Sequence, residues 1–537
     1  MTSDTQQRVP ITTERLKDIR FVGDMNLSAL SVEGTEPGSD PRVFPPADAR
    51  HRRLWTVRVD DDIPTAVTPD GITVWEYAWS PDSKQLALYY STRPDDTGWY
   101  HSQIGLVDAN GGAVHQLTHF APVSMQARGL AWSPDGKQLA YLSGKWSDPG
   151  RGAGDIYLLS LENGAARNLT PGIACSPAWC AWFSDGRRLL YAAVDGVSHQ
   201  FGILDILDGA ITVLDRDFVT RWDQPRPSPT PDLRTFVTVH STPQQPPDVY
   251  SGQLIDENGS ITSIEWRRLT RLNPIPEDTW AWPVTQHIHY PAIDGHTIHA
   301  LFTLPVNYTG DPPPPLFVDV RGGPSAATVA SWGAGYPQIL ASGGYAVLRV
   351  NYRGSWGNGA AFADTVMGDV GGKDFQDIMF GIDYLIAQGL VDGNRLAIGG
   401  WSNGGFLTAW AVTQTTRFKA AMMGAGISDW LNMHALTNIP DADILQLLVD
   451  PLEQPEVYHQ HSPITFANRV RTPTLILHGE NDPAVPVAQA YTFYRALRAR
   501  NVPVAMAIYP REGHGLDEWE HIIDANHRLL SWLEKYV

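Results

Sequence analysis

With 537 residues the chain is too long for one ordinary hydrophobic core, so two domains, or a repeat array joined to a domain, are expected. Hydrophobic residues at 43% and charged residues at 18% describe a soluble globular protein. A formal charge of −18 excludes nucleic acid or an anionic membrane surface as the main partner, because Lys/Arg patches supply that affinity.

Residues 1–8 hold no apolar run of signal-peptide length, and no later run approaches a membrane span, which reads as a cytoplasmic protein. Residues 12–18 read as a short capped helix inside an amino-terminal segment covering residues 1–20.

From residue 21 to residue 275 one pattern recurs. The words Trp79-Ser80-Pro81-Asp82, Trp132-Ser133-Pro134-Asp135-Gly136 and Trp182-Phe183-Ser184-Asp185-Gly186 each precede a short apolar run. Weaker copies stand at Phe21-Val22-Gly23-Asp24 and Pro229-Thr230-Pro231-Asp232. Ser-Pro-Asp-Gly is turn chemistry, so each copy predicts a hairpin, and further strands such as Ile104–Asp108 and Ile156–Ser160 follow. Four short strands in about 50 residues is the spacing of propeller blades. The expectation is a β-propeller with five detectable repeats and up to seven blades. Cys175 and Cys180, the only cysteines, lie in this region; with no histidine cluster beside them they read as reduced, partly buried thiols rather than a zinc site.

The repeat stops in a Pro- and Trp-rich stretch, and residues 276–537 alternate strands with helices, which predicts a mostly parallel sheet. Leu316–Val320, Ala346–Val350 and Thr474–His478 read as strands. Phe375, Ile378, Met379, Ile382, Leu385 and Ile386 recur at helical spacing. Gly400-Trp401-Ser402-Asn403-Gly404 sits between a strand and a helix, the setting of a nucleophile elbow that presents the Ser402 hydroxyl. A base and an orienting carboxylate are expected after it, in the chain order Ser, Asp, His. Asp482 follows a strand in His478-Gly479-Glu480-Asn481-Asp482, and His514 follows another in Glu512-Gly513-His514-Gly515. Glu480 and Glu512 are the rival carboxylates. The elbow itself offers the backbone N–H of Asn403 to an oxyanion.

These motifs, with Asn351-Tyr352-Arg353-Gly354-Ser355, resemble the catalytic domain of the prolyl oligopeptidase family of serine peptidases. The resemblance spans nearly the whole chain, since that family places a β-propeller before an α/β-hydrolase domain. It implies a Ser402–Asp482–His514 triad acting on short peptides without metal or organic cofactor, with the propeller limiting substrate size. It also implies that the Tyr352 hydroxyl is the second oxyanion donor, although by itself Tyr352 reads as a strand-end aromatic in the core. Trp430 resembles the hydrophobic wall of the primary specificity pocket, and a core tryptophan is an equally good account. Arg321-Gly322-Gly323-Pro324 departs from the His-Gly-Gly-Pro of many members, which leaves Arg321 to pair with a structural or a substrate carboxylate. The chain has no adjacent glutamates, the pair with which dipeptidyl peptidases of the family hold a free amine. The reading is therefore an acylaminoacyl-peptidase-like or oligopeptidase-like enzyme. An esterase or amidase for small acyl compounds, a binding protein with a silent hydrolase domain, and a homo-oligomeric state stay open.

Overall fold

The computed structural model describes residues 9–10, 50–57, 63–220, 224–273, 280–332 and 336–537. The expected short helix at residues 12–18 and the Asp24 copy of the repeat lie outside the described residues, as do residues 274–279 of the Pro- and Trp-rich stretch.

Four antiparallel four-stranded sheets follow one another through the first half, each made of strands consecutive in the chain. The first comprises Thr73–Trp79, Gln85–Ser91, Gln103–Asp108 and His115–Gln116. The last comprises Ser228–Pro229, Thr235–Thr242, Gln245–Glu257 and Ser260–Arg268. The recurring aspartate closes the first hairpin of every sheet. Asp82 Oδ1 accepts from Ser80 Oγ at 2.8 Å and from the Lys84 N–H at 3.1 Å, and Asp135 does the same with Ser133 and Lys137 at 2.7 and 3.1 Å. Asp185 and Asp232 accept the matching N–H groups of Arg187 and Arg234. The repeated word is thus an Asx-type turn in which a carboxylate substitutes for a backbone acceptor.

Tryptophans of the same word tie neighbouring sheets together. Trp132 Nε1 donates to Ala78 O and Trp182 Nε1 to Ala131 O, each at 3.0 Å, so each indole reaches into the preceding sheet. The middle strands are buried on both faces, as in Gln85–Ser91 and Arg188–Asp195, because each sheet is packed between two others. Cys180 and Cys175 lie in these layers as free, buried thiols, and burial pushes both up to about 12.

The second half is built on one eight-stranded sheet. In spatial order its strands are Thr285–Pro291, Thr297–Thr303, Ala346–Asn351, Leu316–Val320, Leu396–Trp401, Phe418–Gly424, Thr474–Gly479 and Val504–Tyr509. The first three pair antiparallel and the rest are parallel. The periodic segment forms the helix Lys373–Ala387, which buries Ile378, Ile382 and Leu385 against the sheet. Arg353, fully buried, binds Asp377 through Nε at 2.9 Å and Nη2 at 2.6 Å and also pairs with Asp294, locking that helix to the end of the strand Ala346–Asn351.

The two halves meet through specific bonds. Asn351 Nδ2 donates to Gly196 O at 2.9 Å, the Gly357 N–H to Ser176 Oγ at 2.9 Å, and Asn438 Nδ2 to Asp96 Oδ2 at 2.7 Å. His101 and Asp441 pair at 2.7 Å, and Lys145 and Asp364 at 3.0 Å. Among the described residues no helix is long and apolar enough to cross a membrane.

Candidate active site

Ser402 sits between the strand Leu396–Trp401 and the helix Asn403–Gln414 with φ 61° and ψ −123°, backbone that an L residue rarely adopts. The turn requires its glycines. A Cβ on Gly404 would stand 1.9 Å from Val320 O, and one on Gly400 would stand 2.1 Å from the same oxygen. The Ser402 hydroxyl is thereby raised at the carboxyl edge of the sheet, where the loops after Thr474–Gly479 and Val504–Tyr509 also end.

Those loops bring Asp482 and His514 to it. His514 Nε2 lies 2.9 Å from Ser402 Oγ, and His514 Nδ1 lies 2.8 Å from Asp482 Oδ2. Asp482 Oδ1 accepts the N–H groups of Ala484 and Val485 at 2.9 Å each, which fixes the carboxylate in its turn. Burial by itself would raise the Asp482 carboxyl, but hydrogen bonds from His478 and His514, the His514 charge and the Val485 N–H hold it at about 2. For His514 burial opposes the charged form, yet the Asp482 hydrogen bond and charge, with Asp148 beyond, raise the imidazole above its ordinary value. Trp401 Nε1 donates to His514 O at 2.5 Å and steadies the histidine loop from the elbow side.

The rival carboxylates are elsewhere. Glu512 accepts from the Asp517 and Glu518 N–H groups and pairs with His521 at 2.7 Å, and Glu480 is exposed. Glu512, Glu518 and His521 gather ligand atoms within 4.8 Å, but Arg511 already holds Glu518 at 2.6 Å, so the group is an ion-pair cluster on the outside of the histidine loop.

Tyr352 is fully buried; its hydroxyl donates to Arg321 O at 2.9 Å and accepts from Asn403 Nδ2 at 3.1 Å, which sets it beside the elbow. A hydroxyl proton rotates about its C–O bond, so this arrangement leaves it able to turn to a developing oxyanion. Trp430 is also fully buried, edge-on to Phe406 with centroids 5.1 Å apart. Arg321 Nη1 donates to Gly322 O at 2.7 Å and Pro324 O at 2.8 Å, its Nη2 to Ser355 Oγ, and its guanidinium stacks 4.3 Å from the Tyr352 ring centre. These bonds brace the glycine loop.

That braced loop lies against the elbow. A Cβ on Gly322 would stand 3.3 Å from Ser402 Cβ, and Gly323 lines the cleft beside Ser402, Asn403 and His514. Ile427, Met433 and Val485 supply apolar cleft wall, and Ser147 and Asp148 reach in from the first half. Sequence reasoning missed these residues. Only the two glycines of the Arg321–Pro324 loop carried a signal, as a tight loop.

Residues 333–537 match a sequence model described as the prolyl oligopeptidase family. That match covers the part of the chain that carries Ser402, Asp482 and His514. Among its curated relatives, the acylamino-acid-releasing enzyme of Mus musculus is 26% identical over 521 residues, covering 87% of this chain and 67% of its own length. The uncharacterized peptidase YuxL of Bacillus subtilis is 33% identical over 313 residues, covering 57% of this chain and 46% of its own length. The chain thus spans about half to two thirds of the length of these relatives. In fold, an acylaminoacyl peptidase from Pyrococcus horikoshii superposes with a TM-score of 0.70 at 22% identity, over 89% of this chain and 72% of that one. A puromycin-hydrolyzing peptidase from Mycobacterium tuberculosis gives 0.68 at 22% identity, over 90% and 83%. These likenesses extend across both halves, the small antiparallel sheets and the carboxy-terminal α/β domain alike.

Proposed function

We propose that the chain is a serine peptidase that hydrolyses short peptides through an acyl-enzyme. The observation that carries this reading is the unbroken run of hydrogen bonds from Ser402 through His514 to Asp482 at a strained elbow. Ser402 Oγ attacks the scissile carbonyl while His514 Nε2 takes its proton and later gives it to the leaving amine. Asp482 keeps the proton of the neutral ring on Nδ1 and stabilises the imidazolium; water then repeats the sequence on the acyl-enzyme. The oxyanion is met by the backbone N–H of Asn403 and by the Tyr352 hydroxyl, which the Asn403 side chain holds beside the elbow.

The relatives' names make amides of acylated amino acids the first substrates to test. Residues 21–275 form the propeller and 276–537 the hydrolase domain in this reading. Four described sheets, together with the Asp24 copy of the repeated word, support at least five blades. The ring stands over the cleft, as the placement of Asp148 suggests, and restricts entry to small substrates in the cytoplasm. A fluorophosphonate probe followed by peptide mapping gives the test. Adduct on Ser402 of the folded chain, together with turnover of an acetylated peptide anilide, is the expected result, and a folded chain that takes up no probe overturns the proposal.

A further inference from the structure

The cleft beside Ser402 has polar lining that the reaction above does not use. One side of it is a face of the helix Pro440–Leu447, where Asp443 and Gln446 stand three residues apart and so project together. Asp443 is 1% exposed and Gln446 6% exposed. Among the described residues neither Asp443 Oδ2 nor Gln446 Oε1 has a hydrogen-bond donor. His434 Nδ1 comes to 3.9 Å from Asp443 Oδ2, outside hydrogen-bond reach. The neighbouring Asp441 is differently placed, paired with His101 at 2.7 Å and Arg93 at 3.6 Å.

Buried acceptors without donors are rare, because each forfeits its hydration with no return, and one beside a reacting serine calls for a ligand that brings the donors. Ile427, Met433, Ile439 and Val485 line the same cleft. Aliphatic lining together with a carboxylate and an amide oxygen matches a side chain with an apolar stem and a cationic head. Burial, with the charge of Asp441 added, raises the Asp443 carboxyl well above its ordinary value. An arriving ammonium or guanidinium would favour its ionised form, whereas a neutral side chain would give it no partner. Asp148, from the first half, lines the same cleft and adds a second negative group on the approach.

We infer that this cleft receives the side chain of the substrate residue whose carbonyl Ser402 attacks, and that Asp443, with Gln446 beside it, selects a basic residue there. The inference rests on the serine-peptidase reading and assigns Asp443 as its specificity determinant.

The test uses N-acetylated peptide anilides that differ only at the residue before the anilide, carrying lysine, arginine, norleucine or glutamine. Acetylation removes the free amine, so any preference for a cation belongs to the side chain. The full-length enzyme is expected to favour lysine or arginine over norleucine by at least about 30-fold in kcat/KM, and Asp443→Asn to lower that ratio by a comparable factor. A merely structural Asp443 would move both substrates together and leave the ratio alone. Equal or better turnover of norleucine, or a ratio unmoved in a folded Asp443→Asn, overturns the inference while the peptidase reading stands. Binding of acetyl-lysine amide and acetyl-norleucine amide to Ser402→Ala, measured by calorimetry, needs neither turnover nor the Asp443 variant. Tighter binding of the lysine compound is expected even if no peptide is hydrolysed, in which case only the peptidase reading fails. No difference between the two compounds overturns the cleft assignment.

Discussion

The two halves of the chain reach order by opposite routes. In the first half each sheet is assembled from four consecutive strands, and the first hairpin of each carries its own instruction in a local Asp turn. In the second half the strand Leu316–Val320 lies between Ala346–Asn351 and Leu396–Trp401, so neighbours in space are distant in sequence. The difference teaches where chemistry can be built. Repeated local turns give a rigid frame with interchangeable parts, whereas crossover connections bring Ser402, Asp482 and His514 from three separate loops to one sheet edge. Substitutions in the hydrolase half should therefore act on reactivity or on whole-domain stability, and those in the repeats on small local terms.

The largest effect should be that of Ser402→Ala. Turnover of a peptide anilide is expected to fall about 10⁴- to 10⁶-fold with the melting temperature unchanged, because the hydroxyl supplies chemistry and little packing. Near-normal activity in the purified variant would break the assignment. Next is Asp377→Ala, which leaves the buried Arg353 without its main partner. A loss of about 3–5 kcal/mol in denaturant unfolding is expected, against which a loss below 1 kcal/mol would show the pair to be dispensable.

Tyr352→Phe separates a hydroxyl that serves the reaction from one that only ties the loop. It removes an oxyanion donor, so kcat should fall roughly 10²- to 10³-fold with thermal stability barely moved. A kcat nearly unchanged with about 1–3 kcal/mol of stability lost would confine the hydroxyl to the Arg321 loop.

In the repeats the expected effects are smaller. Ser83 takes φ 59° at the turn position where the second and third sheets have Gly136 and Gly186. Ser83→Gly should stabilise the protein by about 0.5–1 kcal/mol in thermal unfolding, since glycine has no Cβ to strain there. A destabilised variant would show that the turn tolerates the side chain at no cost.

Asp148 is where the comparison should blur, because it belongs to the first half yet its charge acts on His514. His514 must be neutral to accept the Ser402 proton, and its raised value places the acid limb of kcat/KM above the ordinary range for histidine. Asp148→Asn removes one of the charges that raise it, so the limb should move to lower pH. A pH–rate profile shifted the other way, or not at all, would confine control of the base to the hydrolase half.

The sequence by itself determined whatever is written in contiguous residues. The Asp turns, the alternation of strand and helix after residue 276, and the elbow of Ser402 between two glycines are local, because turn geometry and close backbone approach depend on residues a few positions apart. The chain order of Asp482 and His514 was legible because each follows a strand. Tertiary structure alone decided the partners of single side chains and the lining of the cleft. Whether the Tyr352 hydroxyl faces a substrate or a loop carbonyl depends on where Arg321 and Asn403 come to rest. Trp430 carries no sign in sequence of whether it is wall or core, since that depends on Phe406 and the surrounding helices. Asp148 and Asp443 lie nearly three hundred residues apart and meet at one cleft only because both halves have folded and docked, so no local pattern could have announced them.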